Sequence, residues 1–179
     1  MIHAATTPMK KLQQPHNPTR PTSIIALFAR GREIGFVILE NGKIVRYGVK
    51  TIKGKKQGSD LTRRVERILA PVLAMAGLHS VIVIERDAEL SRKGALCKAI
   101  HHLAGQWRRQ NYRVRPVSWA EVVRTLCEGR RATQREVAQA ILEQHPLLWQ
   151  LVRQSTAYRA KYWKKVLLAA ALAEVIRQR

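Results

Sequence analysis

"ERDAE", residues 85–89, puts three carboxylates within five positions in a chain otherwise poor in acids. Hard divalent cations are held by several anionic oxygens, so Glu85, Asp87 and Glu89 could together form a single-metal site. The competing expectation is that they pair with Arg86 and nearby lysines, or cap a helix beginning near Ser91. His101 and His102 also suggest metal chemistry, but adjacent helical residues do not share a face, so a joint ligand role is not expected.

The other chemistry-bearing clusters are basic. "KGKKQG", residues 53–58, offers Lys53, Lys55 and Lys56 on a glycine-flanked loop. "QWRRQNYRVR", residues 106–115, interleaves Trp107 and Tyr112 with arginines that include Arg108, Arg109 and Arg113. Such a pattern suits phosphate contact with base stacking, although Trp107 also falls on an apolar helical stripe and is expected in the core. In "EGRRATQR", residues 128–135, Arg130 and Arg131 stand beside a helix start at Thr133, whose backbone N–H groups could meet a phosphate. Lys161, Lys164 and Lys165 lie among Tyr158, Tyr162 and Trp163. Here the lysines are expected to point out and the aromatics to pack on the sheet.

The whole chain supports this emphasis. It carries 33 Lys and Arg against 12 Asp and Glu, a formal charge of +21 spread along 179 residues. Self-repulsion of that size calls for a polyanionic partner, and nucleic acid fits better than an anionic membrane because no long amphipathic helix shows a clean basic face. No apolar run approaches the roughly 20 residues a membrane span needs. Cys97 and Cys127 read as buried thiols of a reducing compartment. A cytoplasmic or nucleoid-associated location follows, while the acid-free N-terminus leaves mitochondrial import open. Residues 1–22, rich in Pro, Gln and Lys, are expected to form a disordered basic tail ahead of one domain at 23–179.

The elements that must position these residues are legible in the pattern. Ile24–Arg30, Ile34–Glu40 and Lys43–Ile52 read as antiparallel strands, with a turn at Gly31 and a hairpin at Asn41-Gly42, where both residues accept positive φ. Leu61, Val65, Ile68, Leu69, Val72 and Leu73 mark a helix ended by Gly77, with a kink expected at Pro71. "SVIVIE" reads as a buried parallel strand. A second helix, over roughly 91–110, carries Leu96, Ile100, Leu103 and Trp107, and "YRVRPVSW" supplies a fifth strand. Ser118 with Glu121, and Thr133 with Glu136, have capping-box spacing, and a last helix starts near residue 158. The expected fold is α/β: a mixed sheet of three antiparallel then two parallel strands, flanked by helices.

In that order, three stretches carry a resemblance: "IIALFARGREIGFVILENGKIVRYGV", "SVIVIERD" and "RPVSWAEVVRTLCEGRRATQREVAQAIL". Over about residues 23–176 the chain resembles the RNase H-like superfamily and, within it, the RuvC-type Holliday-junction resolvases of DNA recombination. The resemblance implies an RNase H-like sheet, a homodimer acting on four-way junctions, and two divalent metals held by four acids. Carried over by position, the first-strand acid falls on Phe28, the fourth-strand acid on Glu85, and the last-helix acids near Lys164, Lys165 or Leu168. Only Glu85 is acidic, so the chain departs from the pattern.

The expectation is therefore a RuvC-like pseudonuclease without a metal cofactor. It would bind structured or duplex nucleic acid through phosphates, with DNA favoured over RNA, as a homodimer or within a larger nucleoprotein assembly. Two rivals stand beside it. One is an active Mg-dependent endonuclease using Glu85, Asp87 and either Asp60 or a substrate phosphate. The other is a structural subunit of a nucleoprotein complex.

Overall fold

The computed structural model describes residues 23–54, 59–77, 80–86, 94–129, 131–153 and 157–179. The tail expected at 1–22 lies outside the described residues, as do Lys55, Lys56, Asp87, Glu89, Ser91 and Arg130 and the side chain of Tyr158.

Three strands open the fold: β1 (Ser23–Arg30), β2 (Glu33–Glu40) and β3 (Lys43–Thr51). Asn41 and Gly42 join the last two with φ of 50° and 78°, the geometry that lets a two-residue turn follow the strand twist. Then come α1 (Ser59–Ala76), β4 (Val81–Glu85), α2 (Ala95–Arg109) and β5 (Arg113–Val117). Four helices close the chain: α3 (Trp119–Leu126), α4 (Gln134–Gln144), α5 (Pro146–Arg153) and α6 (Ala157–Arg177). Three helices were expected here, matching α3, α4 and α6, and α5 is the addition. Its signal was Pro146, pre-set for the first helical position, followed by Leu148 and Val152 one turn apart. α1 continues through Pro71, which sits on its exposed side.

The five strands lie in the order β3-β2-β1-β4-β5, antiparallel from β3 to β1 and parallel from β1 to β5. β1 and β4 are central and covered on both faces, which is why their sequences are almost uninterruptedly apolar. Even positions of β1 (Ile24, Ala26, Phe28) join Val81, Val83 and α6 in one core. Odd positions (Ile25, Leu27, Ala29) join Ile82, Ile84, α1 and α2 in the other.

α6 is the spine of the first core, buried almost without break from Val166 to Val175 between the sheet and α3–α4. A helix enclosed on all sides carries apolar residues around its circumference and loses the usual stripe. It begins at the edge where β1, β4 and β5 end, since Lys165 lies over Gly35, and it finishes at the opposite edge, with Arg177 beside the Asn41-Gly42 turn. Among the described residues no helix is long and apolar enough to cross a membrane.

Candidate nucleic-acid interface

The edge where the parallel strands end gathers most of the residues singled out from sequence. Leu27 pairs with Ile84 in the parallel register, so the next positions, Phe28 and Glu85, are neighbours. Phe28 is 2% exposed and belongs to the α6 core. Arg30, one pleat further and on the same face, holds its guanidinium carbon 5.8 Å from the centre of the Phe28 ring. Across the ladder Arg30 pairs with Glu33, whose carboxylate accepts from Lys165 Nζ at 2.5 Å. Lys165 Nζ also donates to the carbonyl of Lys161 at 3.2 Å. Lys165 was expected to point into solvent. It turns back onto the sheet because Gly35, lacking a side chain, lets the helix backbone settle on β2 within reach of Glu33. Lys161 and Lys164 are exposed, as expected.

The described residues place no second carboxylate beside Glu85 at the positions where the resemblance puts metal-binding acids. The positions onto which the resemblance carries metal-binding acids hold the buried ring of Phe28, ammonium groups at Lys164 and Lys165, and the core residue Leu168. Asp60 is ion-paired with Arg64 at 3.0 Å. Among the described residues no three His, Cys, Asp or Glu side chains come together as a metal-binding group. Glu85 borders a crevice of about 10 Å³ with Ala29, Cys97, Ile100 and His101, room for little more than one water. His101 faces this crevice, while His102 is exposed and lies 3.4 Å from Gln106, so the two do not act together.

Next to Glu85 a wider feature opens, one that sequence reading did not assemble. The Arg86 N–H bonds the carbonyl of Val117 at 2.5 Å, fixing the exits of β4 and β5 side by side. Ser118 then caps α3, and the α3–α4 connection returns alongside. Between them lies an open cleft of about 720 Å³ lined by Arg86, Trp119, Arg124 and Arg131. All three arginines are exposed and Trp119 is half-buried. The acid on the wall is Glu121, already engaged by the N–H and hydroxyl of Ser118, each at 2.7 Å, and by Arg179. Those Ser118 bonds, aided by Arg179 against the opposing effect of burial, hold its pKa at about 2. The cleft therefore presents three guanidinium groups beside an indole, none of them in an ion pair among the described residues.

The phosphate seat expected at Thr133 takes a different form. Thr133 does cap α4, accepting from the Glu136 N–H at 3.3 Å, but Glu136 in return accepts the Thr133 N–H at 2.6 Å. A carboxylate from the helix itself thus occupies the anion position at its start. Arg131 contributes to the cleft instead.

Arg108, Arg109 and Arg113 stand elsewhere. Arg113 pairs with Val81 at the start of β4, and α2 ends beside it, so these arginines lie at the edge opposite Glu85. Trp107 is 3% exposed and packs in the α2 core, which removes it as a base-stacking platform. Lys53 follows β3 and is exposed at the same edge as Glu33.

No family model matches the chain, and no curated protein matches it. Solved structures do. A Thermus thermophilus RuvC structure superposes with a TM-score of 0.54 at 15% identity, covering 86% of this chain and 92% of that one. The fold is RuvC-like. A second structure, T. thermophilus RuvC in complex with a Holliday junction substrate, gives a TM-score of 0.55 at 16% identity over 86% of this chain and 91% of that one. What the chain shares with RuvC is its mixed sheet of three antiparallel and then parallel strands under flanking helices, the RNase H-like arrangement expected from sequence.

Proposed function

We propose that this RuvC-like chain binds structured or duplex nucleic acid, DNA in preference to RNA, through backbone phosphates and without cutting it. One observation carries the reading: the cleft beside Glu85, where Arg86, Arg124 and Arg131 surround an indole and the wall's acid is neutralised from within. Arginine forks match phosphate oxygens in pairs, and the aromatic wall can take a base or a terminal pair. The charge of +21 supplies long-range attraction. The RuvC neighbour solved with a Holliday junction makes a four-way junction the first ligand to test. The non-cutting part of the reading rests on residue type: an aromatic ring and ammonium groups stand at positions onto which the resemblance carries the carboxylates of a two-metal nuclease.

The test is binding to four-way junction, duplex, single strand and duplex RNA over a salt series, with a cleavage control in magnesium and manganese. Affinity should fall with log salt at a slope near −0.9 per phosphate engaged, so about −3 for contacts by the three cleft arginines. Binding with no salt dependence would refute the phosphate reading. Cleavage that disappears in Glu85→Gln would refute the non-cutting one. Sedimentation of the complex reads whether a homodimer is the binding unit.

A further inference from the structure

The Phe28–Arg30–Lys165 corner has its own chemistry, distinct from that of the arginine cleft. Phe28 is sealed against α6, and the Arg30 guanidinium carbon lies over its ring, 5.8 Å from the centre. A guanidinium held over an aromatic ring by cation–π attraction still has its N–H groups available for a planar two-oxygen acceptor. Arg30 is exposed, and among the described residues no carboxylate neutralises it. Its cross-strand partner Glu33 is already satisfied by Lys165 at 2.5 Å. The Lys165–Lys161 bond ties this corner to the backbone one turn earlier in α6, at Lys161, whose side chain is exposed.

We propose that Arg30 and Lys161 seat a backbone phosphate directly at this corner, so that nucleic-acid binding here requires no divalent cation. The inference rests on the nucleic-acid reading above and extends it: a metal at this corner would have to face the cations of Arg30 and Lys165. Phosphate is the fitting ligand because it offers paired oxygens to the guanidinium fork and a full negative charge to the ammonium. The same contact positions the duplex without reading its sequence.

The test measures binding of the full chain to a four-way junction in EDTA and in magnesium, for the wild type, Arg30→Gln, Arg30→Lys and Lys161→Gln. Arg30 ends a strand and Lys161 is exposed, and circular dichroism checks that each variant folds. Wild-type affinity is expected to be no tighter in magnesium than in EDTA at matched ionic strength. Arg30→Gln should lower the salt slope by about one and weaken binding about eightfold at 0.1 M salt, the contribution of one phosphate contact. Lys161→Gln should do the same, and Arg30→Lys should keep the slope while losing affinity. Unchanged slope and affinity in both Gln variants, with Arg124→Gln still weakening binding, overturns this inference alone. So does tighter binding in magnesium that Glu85→Gln abolishes. A wild type that binds no nucleic acid overturns the functional reading as well.

Discussion

Lys165 rests directly on Gly35: a methyl group added to that glycine would lie 2.6 Å from the Lys165 carbonyl carbon and 2.8 Å from its Cβ. The obstruction is backbone in the middle of the spine helix, so it cannot swing aside. Gly35→Ala should therefore cost about 1–3 kcal/mol and lower Tm by several degrees for a chain of this size. Gly105, inside α2 with nothing within 4 Å of its would-be Cβ, is the control of opposite sign. Gly105→Ala should stabilise by up to about 1 kcal/mol. Thermal unfolding of the two variants reads both signs.

Glu174 is fully buried in α6 and joins two other parts of the molecule. It accepts from Arg177 Nε at 2.5 Å and lies 3.0 Å from Nε2 of His145, the residue that ends α4. Burial pushes its pKa up, but the His145 and Arg177 hydrogen bonds and charges outweigh it, leaving the carboxyl below its ordinary range. A carboxyl with a depressed folded-state pKa stabilises the fold above its unfolded pKa, and that stability is lost as pH falls through the folded value. Glu174→Ala should cost about 2 kcal/mol near neutral pH. That is less than the removal of one partner from a fully buried pair, because Arg177 is 41% exposed and can turn to water. The gap in Tm between wild type and Glu174→Ala should shrink as pH drops below the ordinary carboxylate range.

Local signals in the sequence are legible because their causes are local. The Asn41-Gly42 hairpin, both capping boxes and the apolar stripes of α1 and α2 depend on neighbours within a few residues, and each stands where expected. The features that shape the candidate site are tertiary. Lys165 reaches Glu33 across more than a hundred residues, and the arginine cleft draws Arg86 from the end of β4, Arg124 from α3 and Arg131 from the α3–α4 connection. Helical spacing did place Trp107 in the core. The run of arginines around it showed only charge, not which end of the sheet that charge would reach.

The Ser118 cap links the wall of the cleft to stability. Ser118→Ala removes the hydroxyl that accepts the Glu121 N–H at 3.2 Å and donates to the Glu121 carboxylate, a cost of about 1 kcal/mol. Glu121 is held at a pKa of about 2 against an ordinary 4.5, first by the Ser118 backbone N–H and then by the hydroxyl. Only the hydroxyl–carboxylate part of this contribution is therefore complete above the ordinary value and lost as pH falls towards the lower one. Acid titration of stability should show the gap between wild type and Ser118→Ala narrowing over that window without closing, since the hydroxyl goes on accepting the Glu121 N–H.

The two basic groups at opposite edges of the sheet give the sharpest binding prediction. Val81, which pairs with Arg113, and Glu85, beside the cleft, are the two ends of β4. At ~3.3 Å per residue they stand about 13 Å apart. That exceeds the screening length of about 8 Å at physiological salt, so the far arginines add little attraction to a ligand lodged in the cleft. Arg124→Gln with Arg131→Gln should therefore lower the salt slope of junction binding by about two. Arg108→Gln with Arg109→Gln should leave the slope within error of wild type, with stability unaffected because both side chains are exposed. Equal losses from the two pairs would mean that the ligand wraps both edges, and the footprint argued from the cleft would have to be redrawn around β5.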